Sequence, residues 1–194
     1  MKNNYLPKCC LLLILIFTVV FTWTPETASA SVGNFYNVIM QDGADPSIYK
    51  HSDGWYYFTK TTGNNVTLWR SKTISGLDAG ESKVVWSPNG SGGNCSGIWA
   101  PEIHHVNGKW YIYYAATTCD GNNDNHRMFV LENPNSDPFS GSFVDKGQIT
   151  DSTNKWAIDG TVMQLNGQLY FIWSGWEGDT NVRQNLYIAH MSNP

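Results

Sequence analysis

Asp45 and Asp159 are the residues whose surroundings best fit acid–base chemistry. Asp45 lies in Ala44-Asp45-Pro46-Ser47-Ile48 and Asp159 in Ala157-Ile158-Asp159-Gly160-Thr161-Val162, each eight or nine residues before a turn glycine. Taken singly, Asp-Pro and Asp-Gly are ordinary turn sequences. Recurring at the same place in two repeats, they can bring two carboxylates around one pocket. Such a pair divides labour: one group activates water while another protonates a leaving oxygen, which is what hydrolysis of a glycosidic bond requires. A carboxylate beside another acid also disfavours its ionisation, and so keeps an acid protonated near neutral pH.

Other titratable residues fit chemistry less well. His104 and His105 alternate on one strand, so at most one faces the same side as the aspartates, and a packed histidine is the commoner outcome. Arg127 and Arg183 are placed to neutralise nearby acids. Asp120 to Asp124 has a calcium-like composition but lacks the closing Glu of a calcium loop and reads as a turn. No Cys/His cluster has metal-ligand spacing.

The elements that carry the aspartates are hairpins. Three related ones occur, with turns at Asp53-Gly54, Asn107-Gly108 and Asn166-Gly167, each leading into an aromatic strand: Trp55-Tyr56-Tyr57-Phe58, Lys109-Trp110-Tyr111-Ile112-Tyr113 and Gln168-Leu169-Tyr170-Phe171-Ile172-Trp173. Asn-Gly and Asp-Gly suit tight hairpins because they tolerate positive φ. Further strands are expected at Val66 to Ser71, Lys83 to Trp86, Arg127 to Leu131, Ser142 to Lys146 and Asn185 to Ala189. No segment after residue 30 sustains a helical apolar period, so the class is all-β. The turn glycines 54, 108 and 167 give periods of 54 and 59 residues, the length of a four-stranded propeller blade. Propeller blades begin their innermost strands at the central channel, so Asp45 and Asp159 are expected to converge there.

Composition narrows the setting. Met1–Ala30 reads as a secretory signal, with Lys2 and Lys8, an apolar run from Cys9 to Phe21 and the cleavage sequence Ala28-Ser29-Ala30. That run is shorter than the roughly 20 residues needed to span a bilayer, so no membrane association is expected after cleavage. The remaining domain, residues 31–194, is expected to be secreted. It keeps 10 basic and 15 acidic residues of the chain's 12 and 16, a formal charge of −5. An acidic surface without basic clusters excludes nucleic acid as a partner. Aromatic residues at 14% exclude a disordered chain, and charged residues at only 14% suit an uncharged ligand held on aromatic faces. Cys95 and Cys119 remain after cleavage and are expected to form one cross-strand disulfide.

Ala44-Asp45-Pro46-Ser47-Ile48, Trp99-Ala100-Pro101-Glu102-Ile103-His104 and Ala157-Ile158-Asp159-Gly160-Thr161-Val162 resemble, in order and spacing, the three successive inner-strand motifs of glycoside hydrolase family 43. The resemblance implies a five-bladed β-propeller that hydrolyses with inversion, of which this chain holds about two and three-quarter blades, an incomplete propeller. It implies that Asp45 is the general base and Asp159 the residue that orients the general acid and raises its pKa. The family's acid is a Glu on a later inner strand. Glu81, Glu102, Glu132 and Glu177 do not match it, so the acid is expected to be missing and the chain alone inactive. Trp99, Glu102, Ser174, Gly175 and Trp176 are implied as substrate contacts, with Trp173 packing between blades. The expected partner is plant cell-wall polysaccharide or oligosaccharide carrying α-L-arabinofuranosyl groups, arabinan or arabinoxylan. The alternatives are β-xylosidase or arabinanase activity, or a non-catalytic carbohydrate-binding propeller. No cofactor is required, although a structural calcium near the axis is possible in a full-length protein. Uncovered blade faces lead to an expectation of self-association.

Overall fold

The computed structural model describes residues 38–194; the signal expected at Met1–Ala30 lies outside them. Eleven strands follow one another: β1 (Ser47–Lys50), β2 (Tyr56–Thr59), β3 (Val66–Ser71), β4 (Glu81–Trp86), β5 (Ser96–Val106), β6 (Lys109–Thr117), β7 (Arg127–Asn133), β8 (Val144–Ile149), β9 (Ala157–Leu165), β10 (Gln168–Trp176) and β11 (Gln184–Met191). They form three antiparallel meanders, β1–β4, β5–β8 and β9–β11, of four, four and three strands. This all-β arrangement of successive four-, four- and three-stranded units is the expected incomplete propeller. Among the described residues the only helical pieces are the 3₁₀ turns Ile74–Gly76 and Asn123–Asn125.

Two of the three expected tight turns form. Asn107 and Gly108 have φ of 50° and 79°, and Asn166 and Gly167 have 51° and 76°, the paired positive values that a two-residue hairpin demands. The first hairpin departs from expectation. Lys50 pairs with Tyr56, leaving a five-residue loop from His51 to Trp55 in which only Gly54 has positive φ. Asp53 ties that loop: its carboxylate accepts from the Trp55 N–H at 2.9 Å and from the Tyr57 hydroxyl at 2.8 Å.

Alternation along the strands feeds two cores. Tyr57, Val66 and Leu68 of the first sheet meet Ile98, Ile103, Trp110, Ile112 and Leu131 of the second. The opposite face of the second sheet, with Tyr111, Tyr113, Met128 and Val130, meets Ala157 and Phe171 of the third. Trp110 and Tyr113 are both fully buried. Cys95 and Cys119 form a disulfide with Cα atoms 4.7 Å apart, beside the backbone bond from Cys95 N–H to Thr117 O at 2.9 Å. The outward face of β11 carries exposed Leu186 and Ile188, and Val84 is exposed on β4.

Candidate active site

The same backbone device stands at the head of all three inner strands. Asp45, Ala100 and Asp159 adopt left-handed conformations with φ of 52°, 41° and 53°, which costs an ordinary L-residue roughly 1–2 kcal/mol. In the second and third sheets this residue opens a β-bulge. Ala100 and Pro101 lie opposite Tyr114, between the pairs Trp99–Ala115 and Glu102–Tyr113. Asp159 and Gly160 lie opposite Trp173, between Ile158–Ser174 and Thr161–Ile172. A bulge led by a left-handed residue bends the strand and re-aims its side chain, and bulges cluster beside active sites. Gly160 is needed at the second position, since a Cβ there would come within 2.3 Å of the Phe171 ring. Asp45 and Asp159 therefore occupy equivalent places, and in the second sheet the place is taken by Ala100, with Glu102 two residues beyond.

The three carboxylates form one electrostatic group. Burial, followed by the charges of Asp45 and Glu102, pushes the Asp159 carboxyl above its ordinary range. Burial acts on Glu102 in the same direction, but hydrogen bonds from His104 and Thr161 and the charge of His104 outweigh it, so its carboxyl lies below the usual range. His104 Nε2 is 3.2 Å from Glu102 Oε2 and 3.4 Å from the Thr161 hydroxyl. This polar contact joins the inner strands of the second and third sheets. Asp45 is exposed and its Oδ2 accepts from the Thr61 hydroxyl at 2.6 Å. The charges of Asp45 and Glu102 thus bias the ionisation of Asp159, while His104 and Thr161 hold Glu102 toward its charged form.

The aromatic candidates are held by ring packing. Trp99, half-buried, stacks on His126 with centroids 3.8 Å apart. Ser174, Gly175 and Trp176, implied as substrate contacts, are the last three residues of β10. Ser174 Oγ accepts from Gln184 Nε2 at 2.6 Å. A side chain at Gly175 would crowd Trp173 and the Trp156 carbonyl. Trp176 is buried against Trp156, with rings 4.7 Å apart and nearly parallel. Trp173 stacks on Phe171 and Tyr187, a packing role. This part of β10 borders a cavity of about 710 Å³ between the second and third sheets, whose walls include Met128, Phe171, Trp173, Trp176 and Tyr187.

The histidines separate as alternation requires. His104 joins the carboxylates, whereas His105 packs against His51 and Trp110 with centroids 4.7 Å from each. Arg127 does not neutralise an acid side chain. Its guanidinium donates to Asn154 Oδ1 and to the carbonyls of Asp124 and His126. Among the described residues the arginine that pairs with acids is Arg70, to Glu81 at 2.7 Å and Asp137 at 3.1 Å. The segment from Asp120 to Asp124 is a turn in which Asp120 Oδ1 accepts from Thr118 and the Asn122 N–H. Among the described residues no group of three or more His, Cys, Asp or Glu could hold a metal ion, nor is any helix long and apolar enough to cross a membrane.

Sequence reasoning passed over Thr61, Thr161 and the His104–Glu102 contact. Thr161 had a legible signal, two residues beyond Asp159 in the same motif. Thr61 had none, because its partners are distant in the chain.

Comparison with known proteins places this geometry. Residues 35–194 match the description Glycosyl hydrolases family 43. The chain is 35% identical over 162 residues to an extracellular exo-α-(1→5)-L-arabinofuranosidase of Streptomyces chartreusis, covering 82% of this chain and 49% of that one. It is 36% identical over 171 residues to α-L-arabinofuranosidase 43 of Humicola insolens, covering 87% and 35%. The crystal structure of an α-L-arabinofuranosidase from Lactobacillus brevis superposes with a TM-score of 0.75 at 37% identity, covering 82% of this chain and 52% of that one. The chain thus spans about half the length, or less, of these relatives.

Proposed function

Because the chain belongs to glycosyl hydrolase family 43, a family of glycosidases, we propose that it contributes the base side of an inverting α-L-arabinofuranosidase. Its substrate is arabinan or arabinoxylan of the plant cell wall, and it works outside the cell. Export is supported by the signal-like first 30 residues, by the Cys95–Cys119 disulfide and by relatives named extracellular.

Asp45 is the general base. Its carboxylate is exposed, held through Oδ2 by Thr61, and takes the proton of the water that attacks the anomeric carbon. Asp159 orients the general acid and adds the negative charge that keeps that acid protonated. Glu102 receives sugar hydroxyls, positioned by His104 and Thr161. Trp99 offers an apolar surface beside them, and the Ser174–Trp176 segment supports the pocket from behind through its packing. The family resemblance assigns the general acid to a glutamate on a later inner strand, whose motif Glu81, Glu102, Glu132 and Glu177 do not match. The observation that supports this reading is the left-handed backbone shared by Asp45 and Asp159 at the start of their inner strands, together with the charge of Asp45 felt at Asp159.

The test is hydrolysis of a nitrophenyl α-L-arabinofuranoside by a polypeptide that includes the further blade. Asp45→Asn is expected to lower kcat by about 10²- to 10⁴-fold, the range for loss of a general base, and the first sugar product is expected to have inverted configuration. Unchanged kcat in Asp45→Asn, or retention of configuration, overturns the proposal. Sugar binding with no hydrolysis in that polypeptide would favour the non-catalytic propeller instead.

A further inference from the structure

Thr61 lies in the connection between β2 and β3, where the chain runs beside the head of β5. Thr59 Oγ1 donates to the Pro101 carbonyl. The Ala100 N–H donates to Thr61 Oγ1 at 2.7 Å. Gly63 and Ile98 exchange both backbone hydrogen bonds at 3.1 Å. Residues 59, 61 and 63 thus form three rungs joining the first and second sheets. Thr61 also grips Asp45 from two sides, through its own N–H to the Ala44 carbonyl at 3.0 Å and through its hydroxyl to Asp45 Oδ2 at 2.6 Å.

A hydroxyl has one proton to give. The Ala100 N–H occupies the Thr61 oxygen as an acceptor, which directs the hydroxyl proton toward Asp45. The bond to Oδ2 fixes the carboxylate plane, and Oδ1 has no protein donor among the described residues. Asp45 itself sits in a left-handed conformation ahead of Pro46, so its main chain needs an external tie, and the Ala44–Thr61 bond supplies one.

We infer that Thr61 is the positioning residue of Asp45, a hydroxyl strap that borrows its own orientation from the second sheet and presents Oδ1 as the oxygen that accepts the proton of water. This rests on the proposed role of Asp45. Its consequence is that the base is aligned only when the first and second sheets are joined, so that the seam between them is part of the catalytic apparatus. Misplacing a reacting group by about 1 Å can cost on the order of 10²-fold in rate.

The experiment compares Thr61→Val, Thr61→Ser and Asp45→Asn in the full-length enzyme. Valine keeps the shape of threonine and removes the hydroxyl; serine keeps the hydroxyl. Thr61→Val is expected to lower kcat by about 10- to 100-fold with KM changed less than about threefold, and Thr61→Ser to recover most of the loss. A second readout needs no turnover: the Asp45 side chain is expected to occupy one rotamer in the parent and in Thr61→Ser, and several in Thr61→Val, by side-chain couplings in NMR. If Asp45→Asn abolishes activity while Thr61→Val leaves kcat unchanged, the inference fails and the role of Asp45 stands. If Asp45→Asn is fully active, the reading beneath it fails. Equal losses in Thr61→Val and Thr61→Ser, or a single Asp45 rotamer in Thr61→Val, reduce Thr61 to a structural tie and overturn the inference.

Discussion

The two seams of the molecule are built differently. Between the first and second sheets, backbone and side-chain hydrogen bonds run beside a continuous aromatic cluster. Trp110 lies at its centre, with Tyr57 and His51 both 4.8 Å away and Tyr49 at 5.7 Å. Arg70 adds a bridge to Asp137 while stacked on Trp55 and Phe139. Lys83 donates to the carbonyls of Phe139 and Gly141. Between the second and third sheets the contact is apolar around Phe171 and Met128, polar at Glu102, His104 and Thr161, and open along the 710 Å³ cavity. Two buried polar atoms near this seam, Tyr113 Oη and Trp176 Nε1, have no hydrogen-bond partner among the described residues. The closed seam holds the Thr61 contact to Asp45, whereas Asp159 and Glu102 interact across the seam that the cavity opens elsewhere along its length.

The largest effect should come from the closed seam. Trp110→Ala is expected to destabilise by about 3–5 kcal/mol, since its ring is fully buried and its indole N–H, which donates to Ser136 O at 3.1 Å, is lost with it. Phe171→Ala is expected to fall at the low end of that range, about 3 kcal/mol, because part of its surroundings is already cavity and fewer contacts are forfeited. Denaturant unfolding of both variants checks this, and equal losses would erase the difference between the seams.

The polar link of the open seam comes next. Glu102 has a folded-state pKa below its ordinary value, so it contributes stability above its unfolded pKa and loses it as pH falls through the folded value. Glu102→Gln is therefore expected to destabilise at neutral pH by about 1–2 kcal/mol, the scale of a charge-assisted hydrogen bond, with the deficit shrinking in acid below pH 4. A deficit independent of pH would mean that the carboxylate charge is not what His104 and Thr161 hold.

Much of this contrast could be anticipated unevenly. The repeat, the strands and the equivalence of Asp45 with Asp159 were legible because they rest on local pattern: turn glycines, alternating aromatics and motif residues near one another in the chain. Val66 to Ser71 was anticipated residue for residue. The loop at Asp53 was misjudged because its carboxylate ties Trp55 and Tyr57 across a longer turn instead of closing a two-residue one, a hydrogen-bonding choice that composition does not reveal. Trp176 was implied as a substrate contact by resemblance, yet β10 continues through Ser174, Gly175 and Trp176, and the partner that buries it, Trp156, lies on the approach to a different strand. Thr61 was invisible for the same reason: contacts between residues 61 and 100 depend on how sheets pack.

Asp159 offers the smallest effect and the sharpest sign. Its folded-state pKa is raised by burial and then by Asp45 and Glu102, so the folded protein holds a proton there more tightly than the unfolded chain. The resulting penalty is absent below the unfolded pKa, near 3.9, develops as pH rises to the folded value, and is complete above it. Asp159→Asn removes the charge while keeping the left-handed backbone, which asparagine tolerates. The variant is therefore expected to be more stable than the parent at pH 7, by less than about 1 kcal/mol because the side chain, though partly desolvated, still reaches solvent that screens it, and no more stable at pH 3. Thermal melts at the two values decide it. A stabilisation that persists at pH 3 would trace to packing instead of charge. Asp45→Asn should reduce the gain by removing one of the charges that Asp159 feels, tying the sites of the closed and open seams into a single measurable coupling.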